Sequence, residues 1–431
     1  MSGKLEEKPE RPRDAGTPDM GRPPDASPEA SMEADVEDDA GPDATMDGGG
    51  DEDLGPEDAG DPDACIDSMP DPLDGVDNDC NGEIDEDGVE AASATTEMVA
   101  GRPTIAQYMT GWLVAYEKPA GGIDAVRVEG STVEAGPVAL VPAAAAGSPS
   151  LADFDDLPLL GWTQAGVGSW AVFVWSDVSV GLADEEMYPL TNVENVATAT
   201  DSTRFVIASA GMSGAMNALG AGGTLTEDRG TTTSVPAAVT GLATTVSGER
   251  VAAVATLAGA PGAVLVHRRF DAATYATVNL DLGGATAARE PGYVVSRGAG
   301  HLVLTADVSG RADVHVVDVN PDGTGDTRAS ALVSGTGTDA LDQPSVTLLP
   351  GGAQIVAYRR TTAMGSHVEL VVRDADGAIA SGPHRVSPAG ARDDGFPAVL
   401  ASRAGGGDPC QGLVAFVEGS GTLSLASFAC R

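Results

Sequence analysis

Residues 344–358 read Pro-Ser-Val-Thr-Leu-Leu-Pro-Gly-Gly-Ala-Gln-Ile-Val-Ala-Tyr, the pattern of a short strand, a glycine turn and a second, more apolar strand. Degenerate copies of this strand start recur between about 40 and 54 residues apart along the chain. The clearer copies are Arg102–Ala106, Ser148–Ala152, Gln343–Thr347 and Gly395–Val399, and the weaker ones are Glu194–Ala197, Pro236–Val239 and Glu290–Val294. Seven starts at this period indicate a repeat architecture.

Each start is followed by a more apolar strand, then by a turn and an alternating strand, and in most units by a polar fourth strand. The apolar strands are Trp112–Tyr116, Leu157–Trp162, Arg204–Ala208, Val251–Thr256, His301–Ala306, Gln354–Tyr358 and Leu413–Val417. Four strands per unit at a period near 45 residues is the signature of propeller blades. We therefore predict an all-β fold, a seven-bladed β-propeller with a six-bladed ring as the alternative. A stack of β-sandwich domains is the competing architecture.

The two ends of the repeat region predict how the ring closes. The last unit stops after its third strand, Leu423–Ala429, whereas Ala94–Val99 precedes the first unit as a lone outer strand. We predict that strand 94–99 completes the last blade, because closure removes the sheet edges that invite aggregation. The repeats resemble the loosely patterned propeller blades of secreted bacterial proteins, and the resemblance covers residues 93–431.

The first 64 residues have a different composition from the rest of the chain. Residues 1–90 contain 31 Asp and Glu against five Lys and Arg, out of a net charge of −41 for the whole chain, and the first aromatic residue is Tyr108. Such a segment has too little apolar surface to offset its chain entropy, so residues 1–64 are predicted to be a disordered acidic arm. The scarcity of cations argues against nucleic-acid binding.

The location of the protein is predicted from the arm. No apolar run approaches the ~20 residues of a membrane helix, and the given start shows no apolar signal segment. The tracts Asp38–Asp47 and Glu57–Asp63 nevertheless resemble the tethers that follow the lipidated cysteine in envelope lipoproteins of myxobacteria. That resemblance implies a secreted or cell-envelope protein, whose given start is trimmed or misassigned and which has a lipid anchor upstream of it.

The sharpest local signal is the acidic segment Asp74–Gly88, within the predicted Cys-bounded region 65–90. Counted from Asp77, it carries the residue types of the first nine positions of an EF-hand calcium loop, with the sharp turn at Gly82 and the apolar anchor at Ile84. The predicted ligands are Asp77, Asp79, Asn81, Glu83 (through its carbonyl) and Asp85. Gly88 stands where an EF-hand has a bidentate Glu, which predicts a weaker, helix-free site. An ordinary acidic linker is the alternative.

Residues 74–86 also resemble a metal-binding motif that is repeated in secreted myxobacterial proteins and named after a copper-binding surface protein of a methanotroph. They are similar to thrombospondin-type calcium repeats in their Asp spacing as well. The family name implies copper, but the hard oxygen ligands suit Ca²⁺ better. The motif usually has a Cys where this chain has Leu73, so the resemblance implies that Cys80 pairs with Cys65.

The four cysteines fall into two local pairs, Cys65 with Cys80 and Cys410 with Cys430. Short-range pairs predict disulfides in an oxidising compartment, and the alternative is four free thiols. A Cys410–Cys430 bridge would join the ends of the terminal blade.

No catalytic motif is evident, and the chain is predicted to be a non-enzymatic, monomeric binding protein for a protein or glycan ligand. The alternative is a glycoside-acting propeller hydrolase with channel carboxylates, for which Asp153, Asp155 and Asp156 are the candidates. Three tryptophans cluster in one unit, and they are predicted to be core or, if exposed, to stack on a sugar ring. These residues are Trp162, Trp170 and Trp175.

Overall fold

The computed structural model describes residues 89–430 with short gaps, of which 282–292, 307–313 and 403–409 are the longest. The chain divides into two units, Met1–Ala59 and Gly60–Arg431, and every described residue belongs to the second. All secondary-structure elements of the described residues are β-strands. In this part of the chain, no helix has the length and apolar character needed to cross a membrane.

The described strands form seven sheets, six of four strands and one of five. The first strand of each sheet packs against the first strand of the next sheet, and that of the last sheet packs against that of the first. These innermost strands are β2 (Thr104–Tyr108), β6 (Ala146–Phe154), β10 (Val193–Thr200), β15 (Val239–Ser247), β19 (Tyr293–Arg297), β23 (Ala340–Leu348) and β27 (Gly395–Ala401). The prediction of an all-β propeller is confirmed.

Two middle strands follow each innermost strand and pair with it in order. The second strands are β3 (Gly111–Glu117), β7 (Leu157–Gln164), β11 (Arg204–Gly211), β16 (Arg250–Leu257), β20 (Gly300–Ala306), β24 (Gln354–Thr362) and β28 (Cys410–Val417). The third strands are β4 (Ile123–Glu129), β8 (Val167–Ser176), β12 (Ala215–Gly222), β17 (Gly262–Arg269), β21 (Val314–Val319), β25 (Gly365–Arg373) and β29 (Thr422–Cys430).

An outer strand completes each sheet, and the last sheet takes its outer strand from the N-terminal side. Six sheets end in the next strand of the chain: β5 (Thr132–Val141), β9 (Ser179–Thr191), β13 (Glu227–Arg229) together with β14 (Thr233–Ser234), β18 (Ala276–Asp281), β22 (Ser330–Val333) and β26 (Ile379–Arg385). In the seventh sheet, β1 (Ser93–Met98) pairs antiparallel with β29, with Ser93 opposite Leu425. The first and last parts of the described chain therefore share one sheet.

The core lies between neighbouring sheets, which explains why the second strands are so apolar. Every residue of β16 after its first is buried, because both faces of the strand are covered by adjacent sheets. One cluster joins the first sheet to the last, with Trp112 and Val114 packed in the same group as Leu413 and Leu425. Burying such side chains stabilises the fold by about 1.5–3 kcal/mol each.

One sequence-based boundary shifts in the structure. The strand predicted to start at Pro236 begins at Val239. Proline has no N–H to donate to a ladder, which favours the later start. For the start predicted at Glu290, residues 290–292 lie outside the described residues, and Tyr293 lies on β19. At the other end of the chain, the register of β28 and β29 places Cys410 directly opposite Cys430, and Cys410 is not a free thiol.

Candidate ligand site in the central channel

A cavity of about 360 Å³ opens where the innermost strands begin, and we call it the near mouth. Most of its described lining comes from six innermost strands, with Glu117 from β3, so the packing of separate sheets creates it. The residues that matter chemically are Arg102, Thr104, Glu117, Ser148, Ser150, Asn195, Thr198, Thr244 and Ser345, beside apolar side chains such as Ile105, Leu151 and Leu400. The volume of this cavity and its mixture of polar and apolar lining residues are typical of a pocket for a small ligand.

Hydroxyl side chains hold neighbouring innermost strands together at the near mouth. Each accepts a hydrogen bond from a backbone N–H of the next sheet, although no ladder joins these strands. The bonds are Leu151 N to Thr104 Oγ1 (2.9 Å), Thr198 N to Ser150 Oγ (2.9 Å) and Val399 N to Ser345 Oγ (3.1 Å). Because a hydroxyl is both donor and acceptor, Thr104 and Ser345 can still donate a proton to a ligand, whereas Ser150 Oγ also shares a hydrogen bond of 3.1 Å with Thr198 Oγ1.

Three residues at the start of innermost strands adopt the left-handed backbone conformation that favours glycine. Ser148, Gln343 and Phe396 have φ values of 52°, 54° and 54°, and each directly precedes a proline. In two of these cases, a side chain of the preceding sheet accepts a hydrogen bond from the backbone N–H of the residue. Ser148 N donates to Glu117 Oε2 at 3.1 Å, and Phe396 N donates to Gln343 Oε1 at 2.5 Å. Backbone strain of this kind is concentrated at functional sites.

The charges of the near mouth are balanced. Arg102 and Glu117 are the charged residues of its described lining, and the remaining polar groups are hydroxyls and the amide of Asn195. The Asn195 Nδ2 atom donates to the carbonyl of Val239 at 3.3 Å, which leaves the amide oxygen as an acceptor. This combination suits an uncharged polar ligand.

A second cavity, also of about 360 Å³, lies at the opposite end of the same channel, and we call it the far mouth. The two cavities share the lining residues Ile105, Leu151, Thr198, Thr244 and Leu400, so they meet at a partly apolar belt. The polar side chains that only the far mouth contains are Gln107, Asp153, Thr200, Thr245 and Thr347.

A dense charged network lies on the hairpin β24–β25. The Glu369 carboxylate accepts hydrogen bonds from Tyr358 Oη (2.9 Å) and Arg360 Nε (2.8 Å), and His367 Nε2 lies 2.8 Å from its second oxygen. Burial is the largest cause of the raised pKa of the Tyr358 phenol, and the negative charge of Glu369 raises that pKa further. Burial alone would lower the pKa of Arg360, but Glu369 and Tyr358 raise it overall. The network joins strands and leaves Glu369 fully engaged, so it does not form an open site.

Only some of the candidate carboxylates and tryptophans lie among the residues whose side chains the structure describes. Asp153 lies on β6 and lines the far mouth, whereas Asp155 and Asp156 lie outside the described residues. Trp162 and Trp170 are 1% and 2% exposed, so the prediction that they belong to the core is confirmed. Trp170 packs on Phe205 of the next sheet, with ring centroids 5.4 Å apart. The backbone of Trp175 lies on β8.

The predicted metal loop lies outside the described residues. This applies to Asp77, Asp79, Asn81, Glu83 and Asp85, and to Cys65 and Cys80. Among the residues that are described, no group of three or more His, Cys, Asp or Glu side chains could hold a metal ion. The polar lining of the near mouth was not predicted from sequence. Its one available signal was the repeated Pro-Thr or Pro-Ser step, at Pro103, Pro149 and Pro344.

The fold and the central channel define this chain as a β-propeller protein. No family model and no curated protein matches it. A solved structure similar to it is a lectin from Burkholderia pseudomallei, with a TM-score of 0.52 and 14% identity, covering 77% of this chain and 96% of the lectin. At this identity the likeness shows the fold alone.

A second similar structure corrects one prediction. It is a thermostable family-43 glycoside hydrolase, with a TM-score of 0.33 and 7% identity, covering 56% of this chain and 90% of the hydrolase. Because an enzyme stands among the similar structures, the prediction that this chain is not an enzyme is withdrawn. A likeness at this TM-score carries no assignment of an activity.

Proposed function

We propose that this protein is a carbohydrate-binding β-propeller that holds an uncharged sugar at the near mouth. The observation that carries the proposal is the cavity of about 360 Å³, lined by hydroxyls, one amide and a single Arg and Glu. Ligand pockets of this size combine an apolar surface with a few placed polar groups. A lectin with the same overall fold supports the choice of ligand class.

The chemistry of the lining matches that of a sugar. Hydroxyls such as Thr104 and Ser345 can donate to the ring and hydroxyl oxygens of the ligand, while the Asn195 amide oxygen accepts from a sugar O–H. Ile105 and Leu151 offer an apolar surface to the C–H face of the ring. The strands that carry these groups are fixed by hydrogen bonds between sheets, so little side-chain ordering opposes binding.

The test uses the full chain, first on a glycan array and then by isothermal titration with the best neutral sugar. We expect Asn195→Ala to lower the affinity about tenfold, because one well-placed hydrogen bond contributes on the order of 1 kcal/mol or more. The matched control is Asn320→Ala, which removes an exposed amide that contacts Thr324 in a turn outside the channel lining. Thermal melts confirm that both variants remain folded.

Three results would overturn this proposal. One is unchanged affinity in the Asn195→Ala variant, and another is equal loss in both variants. The third is release of new reducing ends from a glycoside by the wild-type chain, which would establish the hydrolase instead.

We further propose that all seven sheets are blades of one ring, in contrast to a six-bladed ring with the remaining sheet outside it. In support, β27 contacts β2, and each of the other innermost strands contacts its successor. The apolar cluster shared by the first and last sheets, which includes Trp112 and Leu413, also requires them to be neighbours. In such a ring, β1 is the strand that closes the last blade.

For the N-terminal region we propose that Asp77, Asp79, Asn81, Glu83 and Asp85 bind Ca²⁺ and that residues 1–64 act as an extended tether. The alternating oxygen ligands in sequence support calcium over copper. We also propose an exported location, secreted or in the cell envelope, which the pairing of cysteines in the sequence supports.

Calcium titration of the oxidised full chain is expected to show one site in the micromolar to millimolar range. The double substitution Asp77→Asn and Asp79→Asn is expected to abolish it, because it removes two of the charged ligands. The control, Asp38→Asn with Asp39→Asn, removes the same charge from the arm and keeps the site. Equal loss in both variants, or no saturable binding at millimolar calcium, would refute the proposal.

A further inference from the structure

Each innermost strand has one edge that does not join its own sheet, and this edge faces the channel. In an antiparallel ladder, hydrogen-bonded pairs alternate with unbonded pairs, so every second residue of an edge strand points its backbone N–H and C=O away from the sheet. In β10, Thr198 is such a residue, because its N–H donates to Ser150 Oγ of the preceding sheet. The register continues without a shift to Thr200, whose backbone groups therefore also point into the channel.

The same reasoning identifies the inward-pointing residues of β15. Ser247 pairs with Arg250 across a two-residue turn, and the residues that flank such a turn form a hydrogen-bonded pair. Val246 and Thr244 therefore belong to the unbonded pairs and direct their backbone groups into the channel. Both residues lie in the lining of the far mouth.

A hydroxyl of the sixth sheet caps the inward N–H of the seventh sheet at the far mouth. Ala401 N donates to Thr347 Oγ1 at 3.1 Å. At the place of Thr347, the second and third sheets have Ala152 and Ala199, and both alanines lie in the lining of the far mouth. Because a methyl group accepts no hydrogen bond, the sheets that follow these two keep open N–H groups.

The open donors are the N–H groups of Thr200 and Val246. Among the described residues, neither N–H donates to a side chain or to a backbone group outside its own sheet. The same holds for Thr244 N at the belt, where Ala197 occupies the capping position of the preceding sheet. Three backbone donors therefore run along one side of the channel from the belt to the far mouth, available to the acceptors of a ligand.

The channel is long enough for a chain of several sugar units. Asn195 at the near mouth and Thr200 at the far mouth lie on the same strand, five residues apart, which corresponds to about 17 Å at the usual rise per residue. The two cavities share Thr198 and Thr244 in their lining, so a ligand can extend from one into the other. A single sugar ring is too short to reach both ends.

We propose that the channel holds a linear, neutral oligosaccharide of at least about three units, with one end at the near mouth and the other on the open backbone donors of β10 and β15. This inference rests on the proposed sugar site and extends it by a second subsite. Oxygen atoms of the sugar accept the open N–H groups, and the inward carbonyls accept from sugar O–H groups. The belt of Ile105, Leu151 and Leu400 packs on the C–H faces of the middle units.

The experiment measures how affinity depends on the length of the sugar chain. Glucose and the cello- and malto-oligosaccharides of two to six units are titrated against the full chain. In the series that binds, we expect the affinity to rise about tenfold or more from the disaccharide to the pentasaccharide, because only the longer chain reaches the donors of the far mouth. Asn195→Ala is expected to weaken both ligands to the same extent.

The variant that tests the far mouth is Ala152→Ser with Ala199→Ser, which offers both open N–H groups the kind of acceptor that Thr347 provides elsewhere. It is expected to weaken pentasaccharide binding about tenfold and to leave disaccharide binding within about twofold. The matched control, Ala363→Ser with Ala380→Ser, adds two hydroxyls at exposed positions outside the described channel lining and leaves both affinities unchanged. Thermal melts show whether each variant is folded, and Ala199→Ser alone, with an expected loss of about threefold, remains informative if the double variant is not.

Equal affinity for disaccharide and pentasaccharide would overturn this inference and leave the near-mouth site in place. Unchanged pentasaccharide affinity in the folded Ala152→Ser, Ala199→Ser variant would also overturn it, as would absence of binding by every probe at millimolar concentration. The proposed sugar site fails in a different way, because Asn195→Ala would then leave the binding of neutral sugars on the array unchanged.

Discussion

Removal of residues 1–98 is expected to open the ring and destabilise the protein by on the order of 3–5 kcal/mol, whereas removal of residues 1–88 leaves it closed. The longer deletion takes away β1 and its ladder with β29. It also removes Glu97, whose Oε2 atom accepts a hydrogen bond from the Tyr116 hydroxyl at 2.9 Å; in the intact protein Tyr116 is only 1% exposed. A buried hydroxyl without its acceptor is costly, and the uncovered edge of β29 invites aggregation.

The two truncated chains are compared by chemical denaturation and size-exclusion chromatography. The chain that begins at residue 89 is the matched control, because it keeps β1 and the bridge between Val89 and Phe428. We expect it to be monomeric and to unfold close to the full chain, and the shorter chain to unfold earlier and self-associate. Equal stability of both chains would show that the ring does not depend on β1 for its closure.

The substitution Gly412→Ala is expected to cost about 3 kcal/mol or more, an unusually large effect for a single methyl group. A Cβ atom at position 412 would lie 1.9 Å from Cζ of Phe428, the residue directly opposite on β29. Phe428 is 2% exposed and packs in the cluster that joins the sixth and seventh sheets, so its ring has little room to move. Overpacking of such a core forces side chains from their rotamers.

The control for this prediction is Gly101→Ala, where an added Cβ meets no atom within 4 Å. We expect that variant to change the free energy of unfolding by less than about 0.5 kcal/mol. The pair Gly412→Ala with Phe428→Leu should recover part of the lost stability, since the smaller side chain makes space. If Gly412→Ala melts like the control, the placement of Phe428 against β28 is wrong.

Local pattern was enough to predict the strands of the propeller. The stretch 344–358 contains the hydroxyl after Pro344 that bonds to the next sheet, the turn glycines and the buried Val356 and Tyr358. Apolar runs such as β3 and β16 predicted strands covered on both faces. The start of β15 was placed too early, because Pro236 fits the repeat in sequence but lacks the N–H that a ladder requires.

The channel site could not be predicted in the same way. Thr104, Asn195 and Thr244 are ordinary strand residues in sequence, and nothing local shows that they face one cavity. The Glu369 network was missed for a related reason, because its partners Tyr358, Arg360 and His367 meet only across a hairpin. Asp153 was predicted to be a channel carboxylate, and the structure places it in the lining of the far mouth, whereas the other acidic residue of the described lining, Glu117, lies at the near mouth.

By itself, the sequence determined that the chain after the acidic arm is a repeat of short antiparallel strands, because side-chain alternation and turn chemistry act over neighbouring residues. It also determined which strands are buried on both faces. Only the tertiary structure decided which side chains from separate sheets meet in the channel and how charge is divided between its two mouths. Those outcomes depend on how neighbouring sheets pack around the axis, and that packing is a property of contacts about 50 residues apart in the chain.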